Sequence, residues 1–99
     1  MLRHIVSWSY KSGFSESQNK ENAQRIKTEL ESLVGKIDGI VELEVHINVL
    51  PSSNRDIVLN SLFESDEALV AYQAHPEHKR VGSFVSSVTE NRVCVDYHE

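Results

Sequence analysis

The sequence predicts an α+β fold in which four strands and two helical segments alternate as strand, helix, strand, strand, helix pair, strand. Three observations carry that reading. Residues 2–10 and 40–49 alternate apolar and polar side chains, the period of two that sends successive residues to opposite faces of a sheet. Apolar residues between Ala23 and Ile37 recur at spacings of three and four, which gathers them on one helix face. Pro76 interrupts a later helical pattern and divides it in two.

Taken in order, the first strand sets Leu2, His4, Val6, Trp8 and Tyr10 against Arg3, Ile5, Ser7 and Ser9, so its apolar face carries a histidine. Gly13 ends it. Ser15 with Gln18 three residues later matches a capping box, in which each side chain satisfies a backbone amide of the other. The helix that follows is expected to turn Ala23, Ile26, Leu30, Leu33, Val34 and Ile37 inward and to stop at Asp38-Gly39. In residues 40–49, Val41, Leu43, Val45, Ile47 and Val49 are expected to share the buried face, and Glu42, Glu44, His46 and Asn48 the polar one. Pro51 to Asn54 form a turn cluster.

The third strand, Asp56 to Phe63, carries apolar residues on both faces, with Ile57, Leu59 and Phe63 on one and Val58 and Leu62 on the other. Such a strand is central and covered on both sides. Ser65 is placed as an N-cap, with Asp66 and Glu67 in the first turn where the helix dipole favours negative charge. Leu69 and Tyr72 face inward. Pro76 ends this helix at His75 and suits the first position of the next, whose apolar stripe is Val81, Phe84, Val85 and Val88. Val93, Val95 and Tyr97 alternate with Arg92, Cys94 and Asp96 in a fourth strand.

Two βαβ halves with right-handed crossovers give a ferredoxin-like βαββαβ domain spanning residues 1–99, a four-stranded antiparallel sheet with helices on one face. The other face is then bare. Ile5, Val58 and Leu62 on it form an apolar patch of the kind that marks an association surface, and a homodimer stacked through the sheet face would cover it.

Composition narrows the functional classes. A net charge of −5, with Lys and Arg scattered along the chain, argues against nucleic acid as a partner. No apolar run approaches the roughly 18 residues that cross a bilayer, and the N-terminus lacks a signal-peptide layout, so a cytoplasmic protein with no membrane partner is expected. Cys94 is the single cysteine. It cannot form an internal disulfide, is not expected to assemble a thiolate zinc site, and is expected to pack as a small apolar residue in a strand. His75, Glu77 and His78 do not have a recognised zinc spacing, so no metal is expected there.

The residues closest to chemistry are Tyr72, His75 and His78, crowded at the proline junction. With Arg3-His4-Ile5-Val6 at the start, Phe63-Glu64-Ser65 before the second helical segment, Tyr72 followed by His75-Pro76-Glu77-His78, and Asp96-Tyr97 at the end, the chain resembles the stress-responsive A/B barrel (Dabb) family of the dimeric α+β barrel superfamily. The resemblance spans the whole chain. It implies a homodimer whose sheets close into a barrel, with a cavity in each subunit between helices and sheet that can take a small hydrophobic ligand. Some members resemble cofactor-independent polyketide cyclases or isomerases; others are stress-associated proteins with no assigned reaction. Carried onto this chain, the cyclase-like pattern places acid–base chemistry on His78 and Tyr72, with His4 lining the same cavity. Where such members have a further polar cavity residue in the third strand, this chain has Ile57.

The physical chemistry of these residues allows two roles. An imidazole with an ordinary pKa near 6.5 exchanges protons close to neutrality, and a phenol donates to an oxygen that gains charge. Alternatively, His78 braces the helix junction and the Tyr72 hydroxyl satisfies a backbone carbonyl. His4 is expected to be a hydrogen-bonded core histidine, Trp8 either plain core or a cavity floor, and His46 and His98 surface residues.

Overall fold

The computed structural model describes all residues, 1–99, as β1 (Leu2–Tyr10), α1 (Glu16–Glu31), β2 (Ile40–His46), β3 (Ile57–Phe63), α2 (Asp66–Ala74), α3 (Pro76–Val88) and β4 (Thr89–His98). The strands form one antiparallel sheet in the order β2-β3-β1-β4, the ferredoxin-like topology. No helix is long and apolar enough to cross a membrane.

Strand β1 organises the sheet because it pairs with both β3 and β4. Its period of two holds: Leu2, His4, Val6 and Trp8 are buried beneath the helices, while Arg3, Ile5 and Ser7 turn to the other face. The register extends that outer face sideways, aligning Ile5 with Asn60 and Val95, Ser7 with Val58 and Val93, and Arg3 with Leu62 and Tyr97. The sheet therefore shows one face closed by helices and one carrying Ile5, Val58, Leu62, Val93, Val95 and Tyr97, although Leu62, expected to be bare, is already buried in the isolated chain and Ile5 and Val58 are half-buried.

The capping box forms as the sequence predicts. Ser15 Oγ accepts from the Gln18 amide at 3.2 Å, and Gln18 Oε1 accepts from the Ser15 amide at 2.8 Å. Helix α1 stops earlier than expected, at Ser32, where the hydroxyl donates to the Glu29 carbonyl at 2.7 Å and Gly35 then takes a positive φ of 90°. Leu33 and Ile37 still reach the core, but from a turn, and Val34 points outward at 45% exposure.

Strand β2 also departs from simple alternation. A register shift between Ile40 and Glu42 turns Val41 outward, so only Leu43 and Val45 are buried in the strand. The strand ends at His46, leaving Ile47 and Val49 beyond it. Because β2 is an edge, its backbone needs outside partners, and α1 supplies them: Lys27 Nζ donates to the Val45 carbonyl at 2.7 Å and Glu31 accepts from the Val45 amide at 3.0 Å. Burial alone would raise the Glu31 pKa, but the bonds from Lys27 and Val45 outweigh it and hold the carboxyl below its ordinary value.

At the helix junction, Ser65 caps α2 by accepting from the Ala68 amide at 3.1 Å. His75 leaves helical geometry with ψ 136°, Pro76 opens α3, and His75 Nδ1 accepts from the Glu77 amide at 3.1 Å. The junction is thus capped by His75. Phe84, expected to be inward, is half-buried on the flank of the core, with the Arg25 guanidinium 3.8 Å from its ring centre.

Gly39 has φ 91°, and a Cβ there would lie 2.7 Å from the Cβ of Ala68 on α2. Both the conformation and the close approach require glycine. Gly39→Ala is expected to lower unfolding stability by about 2 kcal/mol in denaturant melts, whereas Gly13→Ala, where only the positive φ opposes the change, should cost less.

Candidate functional site

A cavity of about 150 Å³ lies between the sheet and the helices, floored by His4 and Trp8 of β1 and walled by Tyr72 of α2 and His78 of α3. The four residues singled out in the sequence therefore line one space. Each arrives by a different local rule: strand alternation turns His4 and Trp8 to the helix side, helical spacing from Leu69 brings in Tyr72, and the break at Pro76 puts His78 in the first turn of the next helix. Leu59, Val6 and Val85 complete an apolar lining, and Arg92 of β4 brings a positive charge to it.

Tyr72 is fully buried. Its ring centre stands 4.9 Å from that of Phe63 and 4.4 Å from that of His78. Neither the Tyr72 hydroxyl nor His78 Nδ1 has a hydrogen-bond partner, although both atoms are buried. The Tyr72 hydroxyl bonds no carbonyl, and the cap at the junction is made by His75. Orphaned buried polar atoms are rare, since each costs about 1–3 kcal/mol.

The same burial tunes both groups. It pushes the Tyr72 phenol well above its ordinary pKa of 10.0, so the hydroxyl stays protonated. It lowers the His78 pKa below 6.5; the Gln73 backbone partly offsets this, and electrostatic interactions with His4 and Arg92 add to it. Near neutrality the cavity thus holds a fixed phenol donor beside a neutral imidazole acceptor. That pairing can donate to a ligand oxygen and take up a proton.

His4 is 3% exposed, and its Nδ1 bonds Asp96 Oδ1 across the β1–β4 ladder at 2.5 Å. Its ring meets Phe63 edge-on at 6.1 Å. With Nδ1 engaged, Nε2 is the ring nitrogen left to the cavity. Reading the chain alone identified neither Asp96 as this partner nor Arg92, Gly82 and Ser86 as cavity residues, because strand register and helix phase decide those contacts. Ile57 lies in the core away from the cavity lining.

His78, Gly82 and Ser86 also border an open groove on the surface of α3, so the cavity meets solvent along this edge. Nothing lies within 4 Å of a Cβ built on Gly82. His46 and His98 lie on the surface, paired with Glu44 and Asp66. Cys94, expected to pack as a small apolar residue in a strand, is exposed, because β4 is the sheet's free edge and the helices do not reach over it.

Comparison with known proteins accords with this architecture. The family model for the stress responsive A/B barrel domain matches residues 2–99. A dimeric ferredoxin-like protein of unknown function from Bacteroides fragilis superposes with a TM-score of 0.92 at 30% identity, over 99% of this chain and 95% of its own. A Dabb family protein from Mesorhizobium loti does so with a TM-score of 0.76 at 20% identity, over 99% of this chain and 95% of that one. A hydroxynitrile lyase from Passiflora edulis shares the fold, with a TM-score of 0.79 at 19% identity over 97% of this chain and 90% of its own. No curated protein matches in sequence. With the model covering nearly every residue and the fold in agreement, the chain belongs to the stress responsive A/B barrel domain family.

Proposed function

We propose that the protein is a homodimer that binds a small, largely apolar molecule carrying a polar oxygen in the cavity between its helices and sheet. The observation that carries this reading is the pair of buried atoms without partners, Tyr72 Oη and His78 Nδ1, at the wall of a space lined by apolar side chains together with His4, Ser86 and Arg92. A ligand oxygen held by Tyr72 and a ligand proton facing His78 would satisfy both at once. The size limits the ligand. About 150 Å³ is close to the volume of a cavity that admits benzene, and lies below the roughly 300–1,000 Å³ of drug-sized sites, so a single ring with a short polar substituent is the natural occupant.

The homodimer reading rests on the outer sheet face, where Val93, Val95 and Tyr97 are 42%, 53% and 45% exposed in the isolated chain. They continue the row begun by Ile5, Val58 and Leu62, and the relative from Bacteroides fragilis is a dimer. Two sheets stacked through these faces would form the barrel and bury the patch.

A second reading, favoured by the opposed tuning of the two groups, makes the protein a cofactor-independent acid–base enzyme of the cyclase or isomerase type. Neutral His78 would accept a proton from carbon next to a carbonyl, while the Tyr72 hydroxyl stabilises the negative charge developing on the carbonyl oxygen. The bond to hydrogen breaks, its electron pair moves into the enolate, and the proton resides on His78 until it is returned.

Ligand binding is tested with acetophenone as probe, following methyl shifts of Leu59, Val6 and Val85 by NMR. Tyr72→Phe is expected to weaken the probe while leaving unfolding stability unchanged or higher by about 1 kcal/mol, because it removes an unsatisfied buried hydroxyl. A loss of stability from Tyr72→Phe would instead assign the hydroxyl to folding. Gly82→Leu should block the probe at the cavity edge without lowering the melting temperature; absence of shifts in the wild type would sink the ligand reading.

Because burial lowers the folded-state pKa of His78 below 6.5, the unfolded chain binds its proton first as pH falls. The His78 contribution is therefore intact above that value and is lost progressively on acidification until the folded-state pKa is passed. Melting temperatures of His78→Gln should fall less steeply than those of the wild type between neutral and mildly acidic pH.

Val95→Asp would place an unpaired charge in the middle of the outer face. Light scattering should show the wild type as a dimer and the variant shifted toward the 11.2 kDa monomer. A wild type that is already monomeric at micromolar concentration would overturn the dimer.

A further inference from the structure

Next to the cavity, and sharing His4 with it, the molecule gathers one other set of chemically capable side chains, on the helix-side face of β1 and β4. Asp96 is the register partner of His4, and Cys94 is the partner of Val6. The two β4 residues are two apart and therefore share a face, with His4 directly opposite one and diagonal to the other. Cys94 Sγ lies 3.8 Å from His4 Nδ1 and 3.7 Å from Asp96 Oδ1, and the three ligand-capable atoms all fall within 4.8 Å of one another.

We propose that His4 Nδ1, Cys94 Sγ and Asp96 Oδ1 form a binding site for a transition-type divalent cation, zinc above all, at the sheet edge. Geometry is the first support. Zinc bonds of about 2.3 Å to sulfur and 2.0 Å to nitrogen or oxygen, at a tetrahedral angle, set sulfur about 3.5 Å from each of the other two donors. The two sulfur distances here already approach that value. Nitrogen and oxygen would need to separate from 2.5 Å to roughly 3.3 Å, a side-chain movement open to Asp96, which is 40% exposed.

The donor set is the second support. One imidazole, one thiolate and one carboxylate suit zinc or cobalt and poorly suit magnesium or calcium, which take oxygen ligands. Three protein donors leave a fourth position open to solvent, and exposed Cys94 and Asp96 provide the way in. His4 is held for the task from behind. Phe63 meets its ring edge-on, and Ser61 Oγ donates to its backbone carbonyl at 2.8 Å.

The proton balance follows from the bonds already present. When Nδ1 of the neutral imidazole binds the ion, the ring's hydrogen is carried on Nε2, and the Cys94 thiol loses its proton to solvent. One proton is released per ion, and His4 then presents N–H toward the cavity. Asp96 attracts the cation, whereas Arg92 on the same strand, whose charge also reaches Cys94, opposes it.

The test uses the untagged full chain, stripped with chelator and titrated with cobalt(II) and then zinc(II). One equivalent of cobalt per chain should produce a thiolate-to-cobalt charge-transfer band that zinc abolishes. Cys94→Ser should remove the band, and Cys94→Ser and Asp96→Asn should each weaken zinc at least about tenfold, with far-UV circular dichroism unchanged. The double variant His46→Ala, His98→Ala should keep both band and affinity, since those histidines belong to separate surface pairs. No charge-transfer band in the wild type, or zinc affinity unaltered by Cys94→Ser, would overturn the site.

Discussion

Tyr72 sets the constraint on which the helical layer depends. It is the largest of the fully buried side chains, and its ring lies between Phe63 at the end of β3 and His78 in the first turn of α3. Aromatic contacts of this kind contribute about 0.5–1.5 kcal/mol beyond area burial, so the ring binds the end of α2 to the sheet and to α3. Its hydroxyl works in the opposite sense, because it is desolvated without a partner. The packing that stabilises the junction and the polar atom that destabilises it belong to one residue. A structural role explains the ring but not the unpaired oxygen.

The junction also separates duties that a continuous helix would merge. His75 carries the cap through Nδ1, which releases His78 from capping and leaves its own Nδ1 unpartnered at the cavity. Pro76 enforces this division, since it disfavours helical geometry at His75 while suiting the start of α3. Burial then moves the two facing groups apart in acidity, Tyr72 upward and His78 downward. Two titratable groups whose environments separate them are the usual basis of donor and acceptor assignments.

Strand β1 links this site to the rest of the molecule. Its helix-side residues His4 and Trp8 floor the cavity, its outward residue Ile5 belongs to the bare face, and its pairing with β4 brings residues 4 and 96 into contact. The chain ends are tied to the same ladder: Arg3 holds the Glu99 carboxylate at 2.7 Å, and the Glu99 amide donates to the Met1 carbonyl at 2.8 Å. Events at the sheet edge and in the cavity therefore share one residue, His4, whose ring has a nitrogen available to each.

Local rules were legible in the chain wherever the interaction is itself local. The capping box at Ser15, the Ser65 cap, the break at Pro76 and the alternation of β1 involve residues within a few positions of one another, and the sequence alone determines them. The same alternation, with helical spacing, was enough to bring His4, Trp8, Tyr72 and His78 to one side of the sheet. Tertiary structure decided the remainder. The end of α1, the outward turn of Val41 and the exposure of Cys94 depend on where each element meets the sheet's edge or a bulge. The His4–Asp96 pair joins residues far apart in sequence, and only the register of β1 on β4 makes them neighbours. Likewise, no sequence pattern states that a buried hydroxyl will lack a partner, because hydrogen-bond satisfaction is a property of the assembled surroundings, not of the residue.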